Sequence, residues 1–288
     1  MIIDSHAHCT NGAYRNPFRY LTYDKDGYAL KEGDQEQLFQ EMLAVGIPYS
    51  IEVGVGLQSC QDVLQLAQAY PGRVFPAIGY HPTRALYEKW SERKQLDALA
   101  RSEGVIAIGE IGLDYHFKRE EQHRLKQHLW FFYQLDLAWK LKKPVILHVR
   151  DAHEDALRIL RIHPARKLGG VIHCFYADWA TAKRYLDLGY HIGIGGSVLQ
   201  LEERAKTLWE AIPNIPLDRI LVETDAPFIL PYCKDVLPPK ILRRTRNTSL
   251  ILPAVIKKLA QLKGVSPEEV ERATAENTTS LFELQLLS

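Results

Sequence analysis

Eight short apolar runs rich in valine and isoleucine, separated by longer stretches of helical period, constrain the fold of this chain more than any other feature. They cover residues 1–4, 49–55, 74–79, 105–110, 144–148, 170–173, 191–195 and 220–223. Several are near-continuous, the pattern of strands buried on both faces, as in parallel sheets. Between them the periodicity predicts helices. Gln35–Ala44 ends before Gly46, and 58–70 stops at Pro71-Gly72. The helix predicted over 119–141 carries Leu125, Leu129, Phe132 and Leu135 on one stripe, and the one over 178–188 has Asp178 as N-cap and Gly189 as stop. Ser266-Pro267-Glu268-Glu269 reads as a capping box with proline at the first helical position. Eight strand–helix units in 288 residues average about 36 residues each, and a (β/α)8 barrel needs about 250 in total. The competing doubly wound open sheet usually carries a glycine-rich phosphate loop after its first strand. Here that place holds Ser5-His6-Ala7-His8. No low-complexity tract or linker divides the chain. The predicted class is therefore α/β: a (β/α)8 TIM barrel as a single domain over 1–288, with its active site at the C-terminal ends of the strands.

Lys and Arg number 36 against 35 Asp and Glu, a net charge of +1. That excludes a strongly basic coat for gripping long nucleic acid, while leaving room for a local basic mouth. No apolar stretch is long enough to span a membrane, and Met1-Ile2-Ile3-Asp4 lacks the features of a signal peptide. Cys9, Cys60, Cys174 and Cys233 are far apart and form no CxxC pair. The expectation is a protein without a disulfide framework, in a reducing cytoplasm.

Polar residues recur at the carboxyl ends of the predicted strands: His6 and His8, Glu52, His81, Glu110, His148, His173, and Glu223 with Asp225. A barrel gathers those ends on one face. His6 and His8 are two apart on an extended strand, so their side chains share a side. Either they bind one metal or they are two polar residues at a strand–loop junction. His148 and His173 each close an apolar run, where a lone histidine is usually a satisfied core residue and a matched pair points toward metal. Glu110 ends Val105-Ile106-Ala107-Ile108-Gly109, where an unpaired carboxylate would be costly to bury. Either an arginine or a cation neutralises it. Asp225 reads as a ligand or as a turn residue before Pro227. Four histidines and two carboxylates suit zinc, manganese or iron, with magnesium less favoured. The absence of cysteine among these candidates argues against a closed structural zinc site.

These residues lie in segments that resemble a known family. Asp4-Ser5-His6-Ala7-His8, Gly79-Tyr80-His81-Pro82, Gly109-Glu110-Ile111-Gly112-Leu113-Asp114, His148-Val149-Arg150-Asp151-Ala152, His173-Cys174-Phe175 and Glu223-Thr224-Asp225-Ala226-Pro227 are similar, in order, to the motif series of TatD-type metal-dependent deoxyribonucleases. That family is a branch of the amidohydrolase-like barrels. The resemblance covers nearly the whole chain. It implies two divalent metal ions (zinc, manganese or magnesium), one held by His6, His8, Glu110 and Asp225 and the other by Glu110, His148 and His173. It implies a phosphodiester-cleaving DNase, often a 3′-5′ exonuclease, in which Asp225 orients or deprotonates the attacking water. His81 would face the scissile phosphate. Arg150 would either reach substrate or support the ligands, as Asp114 and Glu223 would.

The chain departs from the family pattern in two places. The segment 9–34 is long and carries Tyr14, Arg15, Phe18, Arg19, Tyr20, Tyr23 and Tyr28. It reads as a lid loop whose rings either stack bases or pack on the barrel. After Arg246-Asn247 the chain has Thr248-Ser249, where relatives place Glu-Pro. The expected substrate is a nucleic-acid end, with a small footprint given the near-zero net charge and no membrane partner. The alternatives are an amidohydrolase-type lactonase or amidase, since fold does not fix function, and a barrel that only binds a partner. Dinuclear relatives of the amidohydrolase kind often bridge their metals with a carboxylated lysine on the fourth strand. Glu110 in that place favours the nuclease.

Overall fold

Strand and helix alternate along the chain as the hydrophobic pattern requires. The computed structural model describes residues 1–10, 12–14, 17–85, 87–116, 121–233 and 238–287; Arg15 and Arg119 lie outside these. In chain order the strands are β1 (Ile3–Ala7), β2 (Phe18–Asp24), β3 (Gly27–Gly33), β4 (Tyr49–Val53), β5 (Val74–Ile78), β6 (Ala107–Asp114), β7 (Val145–Arg150), β8 (Gly170–Ile172), β9 (His191–Ile194), β10 (Ile220–Val222) and β11 (Thr245–Arg246). The helices are α1 (Gln35–Ala44), α2 (Leu57–Ala69), α3 (Pro82–Ala85), α4 (Arg93–Ala100), α5 (Glu121–Leu141), α6 (His153–Ile162), α7 (Trp179–Leu186), α8 (Glu202–Ala211), α9 (Pro239–Leu242), α10 (Leu252–Lys263) and α11 (Pro267–Phe282). One eight-stranded sheet runs β1-β4-β5-β6-β7-β8-β9-β10. It is the parallel, nearly closed (β/α)8 barrel that the sequence predicts. Among the described residues no helix is long and apolar enough to cross a membrane.

The chain forms two compact units, Met1–Ile51 with Cys174–Ala182 and Gly193–Thr278, and Glu52–His173 with Lys183–Ile192 and Thr279–Ser288. In the first unit, the segment expected to be a lid loop is instead a β-hairpin. β2 pairs antiparallel with β3 and parallel with β11 in a second, three-stranded sheet. Tyr14, Phe18 and Tyr20 are buried, and Tyr14 donates to the carbonyl of Asn247 at 2.6 Å. Those rings pack within their own unit and are not available to stack bases.

In the second unit, α5 corrects the predicted stripe. Leu125 and Leu129 are 62% and 51% exposed, and Phe132 is also exposed; of the four only Leu135 is buried. The buried face instead carries Gln127, Trp130, Phe131, Gln134 and Ala138. The two glutamines explain this choice. The Gln134 side chain accepts from the Tyr80 N–H at 2.6 Å and donates to the Tyr80 carbonyl at 3.1 Å. Gln127 does the same to Asp114, at 2.8 Å in both directions. A strand end that leaves the sheet ladder has backbone groups to satisfy, and a buried amide with one donor face and one acceptor face satisfies both.

Candidate metal centre

His6 lies inside β1, not beyond it, and is fully buried, while His8 follows directly. The alternation of an extended strand brings the two imidazoles to one side, as expected. Their Nε2 atoms approach to 3.1 Å, with rings edge to face. Asp225 Oδ1 lies 3.4 Å from His8 Nε2 and 3.8 Å from His6 Nε2. The donor atoms of these three residues all fall within 4.8 Å of one another. Two ring nitrogens and a carboxylate oxygen converging on one point is a donor set that fits a divalent cation.

Backbone pairing between distant segments sets this geometry. Asp225 N–H donates to the His6 carbonyl at 3.0 Å, and His8 N–H donates to the Ala226 carbonyl at 2.8 Å. Asp225 itself has φ of 53°, a left-handed conformation that a non-glycine residue seldom adopts. Asp151 and Cys174, which follow β7 and β8, share it at 53° and 46°. Such residues persist where the surroundings over-determine them, and they cluster at functional sites.

Asp4 belongs to this site although strand-end position does not single it out. It is fully buried and accepts from the His6 N–H at 3.2 Å, the Thr224 N–H at 3.1 Å, the Thr224 hydroxyl at 2.6 Å and the Ser249 hydroxyl at 2.7 Å. One carboxylate thus ties the His6 segment to the Asp225 segment. Its signal in the sequence was an acid two residues before His6 inside an apolar strand. The Thr248-Ser249 departure also finds its reason. Thr248 caps the following 3-10 turn and donates to the Leu21 carbonyl at 3.0 Å, while Ser249 holds Asp4. Asn247 donates to the Thr224 carbonyl at 3.0 Å. Glu223 is fully buried and accepts from the Cys174 N–H, which makes it a support for the loop after β8.

The second unit builds a cluster of its own. Glu110 sits midway along β6, not at its end, at a place where pairing with β7 slips between Ile108 and Ile111. Such a bulge re-aims a side chain. Gly112, with φ of 139°, permits this fit, because a Cβ there would lie 2.0 Å from the His148 carbonyl oxygen. Glu110 Oε1 is 2.8 Å from His148 Nδ1, 3.5 Å from His81 Nε2 and 3.7 Å from His173 Nε2. His148 lies within β7, which runs on to Arg150, and its Nε2 is 3.0 Å from Asp114. Asp114 thus orients His148, as expected. His81 joins the same cluster, its ring 4.3 Å from that of His148, and His81, Asp114 and His148 form a further donor group within 4.8 Å. Arg150, the last residue of β7, is exposed.

The charges follow from this packing. Burial works against charge on His148, but hydrogen bonds with Asp114 and Glu110 outweigh it, and the imidazole is pushed up from 6.5 to about 9. Burial would also raise Glu110, yet the facing His81, His148 and His173 hold its carboxyl well below its ordinary 4.5. Asp114 is lowered from 3.8, since its bond to His148 overcomes its burial. The His148 ring stands between two carboxylates, Glu110 and Asp114, which favour its protonated form.

The stability of the metal-free protein then depends on pH in a definite way. The raised His148 stabilises the fold fully below about pH 6.5, and that contribution is lost as pH rises through about 9. The lowered carboxyls stabilise above about pH 4.5, and their contribution is lost as pH falls. Thermal melts of chelator-treated protein are expected to give a highest melting temperature between about pH 5 and 6.5, with a fall on both sides. A melting temperature that climbs steadily from about pH 6.5 to 9 would contradict a charged His148.

Comparison with known proteins bears on what these clusters serve. Residues 3–283 match the family model described as TatD related DNase. The 3′-5′ ssDNA/RNA exonuclease TatD of Edwardsiella piscicida is 35% identical over 254 residues, covering 88% of this chain and 94% of that protein. The uncharacterized metal-dependent hydrolase YcfH of Escherichia coli K12 is 32% identical over 283 residues, covering 98% and 96%. Among solved structures, the YjjV TatD homolog of Escherichia coli K12 superposes with a TM-score of 0.83 at 27% identity, covering 99% of this chain and 98% of that one.

Proposed function

Because the chain belongs to the TatD related DNase family, we propose that it is a divalent-metal-dependent phosphodiesterase that removes nucleotides from the ends of single-stranded nucleic acid. The observation that carries this reading is the convergence of the His6, His8 and Asp225 donor atoms within 4.8 Å. On this reading His6, His8 and Asp225 hold one ion, while Glu110, His148 and His173 hold a second. The relatives named as exonuclease and as metal-dependent hydrolase support the substrate and the cofactor class. Bound divalent ions would lower the pKa of water from about 15.7 toward about 7 and offset charge on the phosphoryl oxygens.

The chain's own residues supply the rest. Asp225, beside the His6–His8 pair, accepts the proton of the attacking water. His81 and Arg150 contact the phosphate oxygens, on which negative charge grows as the bond breaks. Asp114 holds the His148 ring in place, as supports of metal-binding imidazoles do. A cytoplasmic location belongs to the same reading, on the cysteine usage.

Incubation of the protein and manganese with end-labelled single-stranded DNA, single-stranded RNA and a lactone tests it. Mononucleotides released progressively from one end are expected. Lactone turnover without nucleotide release would overturn the assignment.

A further inference from the structure

Eight residues apart from the metal-binding candidates line one cavity in the first unit. It encloses about 180 Å3 and is walled by Leu201, Leu230, Tyr232 and Leu242, with Gln200 and Arg204 among its polar residues. The walls are tied together. Gln200 donates to the Leu230 carbonyl at 2.8 Å, and Tyr232 N–H donates to the Leu199 carbonyl at 3.1 Å. The exposed Arg204 side chain has no ion pair among the described residues.

The cavity is joined to the His6–His8–Asp225 cluster by a short run of chain. Phe228 N–H donates to the Asp225 carbonyl at 2.8 Å, which folds the segment back beside the cluster. The Phe228 ring stands edge-on to His8, with centroids 6.0 Å apart, yet remains 49% exposed. Leu230 and Tyr232 follow on the same segment and enter the cavity wall. An exposed ring at a candidate ligand, then an apolar slot, then a guanidinium with no ion pair among the described residues repeats the needs of a single strand. Each nucleotide presents a flat base to stack and a phosphate to neutralise. The volume suits one heterocycle.

We propose that this cavity is a base-binding subsite: a nucleobase near the scissile phosphate passes the face of Phe228 and seats against Leu201, Leu230 and Tyr232, with Arg204 on its phosphate. The proposal rests on the nuclease reading and adds to it where the strand lies. Recognition is by stacking and charge, so the subsite accepts every base and excludes paired ones.

The test uses the full-length metal-loaded protein and a phosphorothioate-linked oligodeoxynucleotide carrying 2-aminopurine at successive positions from each end. Binding is expected to quench the fluorescence at one position. Tyr232→Ala and Phe228→Ala should relieve the quenching and weaken binding by about tenfold to hundredfold, the scale of one lost stacking contact. Leu201→Trp, at an exposed residue, fills the slot without opening a core cavity and should have the same effect. Arg204→Ala should reduce the salt slope of binding by about one. For all four variants, the ratio of kcat/KM for an oligonucleotide over that for bis(4-nitrophenyl) phosphate should fall. If the parent cleaves oligonucleotides and the variants keep its quenching and its ratio, the subsite is refuted and the nuclease reading stands. If the parent cleaves only the small diester and quenches nothing, both fall.

Discussion

Replacing Glu110 or Asp225 with alanine is expected to lower phosphodiester hydrolysis by about 10³-fold or more, a barrier increase of about 4 kcal/mol. The two residues differ in what else they do. Asp225 is partly exposed, with 17% of its side chain accessible, and its backbone hydrogen bond to His6 does not need the carboxylate. Asp225→Ala should therefore still melt cooperatively, a few degrees below the parent because alanine tolerates the left-handed backbone at this position less well than aspartate. Glu110 is buried among three histidines. Its loss leaves Asp114, 3.0 Å from His148, as the carboxylate facing those rings, so Glu110→Ala should also lose stability, by about 3 kcal/mol. Glu110→Gln keeps the shape and serves as the control: activity should stay low while part of the stability returns. Undiminished hydrolysis in both alanine variants would remove these residues from the mechanism.

Chelation should have the second large effect. If each cluster holds a divalent ion, treatment with EDTA abolishes hydrolysis, and manganese or zinc restores it. Binding to the folded state alone also stabilises it. At a free metal concentration about a thousandfold above Kd, one site contributes about 4 kcal/mol. For a chain of this size that raises the melting temperature by roughly 7 °C. The shift should be larger above about pH 9, where His148 has lost the proton that otherwise occupies the cation's place, than near pH 6. Full activity in excess chelator, with no thermal shift on adding metal, would count against both ions.

Much of this was legible in the sequence because strands and their ends leave plain signals. The near-continuous apolar runs gave all eight barrel strands to within a few residues, although His6, Glu110 and His148 lie inside their strands and not at the ends where the runs had placed them. What stayed hidden involves residues whose role depends on a partner far along the chain. Asp4 reads as one more acid in a strand until Thr224 and Ser249 are seen on its carboxylate. Gln127 and Gln134 look like solvent-facing residues, so periodicity chose Leu125, Leu129 and Phe132 for the buried stripe. The helix turned the other way because backbone groups at Tyr80 and Asp114 had to be satisfied. The hairpin of β2 and β3 escaped notice because its rings read equally well as a base-stacking loop. Its turn, Asp24-Lys25-Asp26-Gly27, with Gly27 at φ of 107°, was the available clue.

The metal content of the protein as purified, read by elemental analysis beside two paired variants, tests the central claim most directly. Two divalent ions per chain are expected in the parent. His6→Ala with His8→Ala should lose the ion of one cluster, and His148→Ala with His173→Ala the ion of the other. A parent protein from which EDTA removes no metal, or paired variants with an unchanged metal count, would contradict the account.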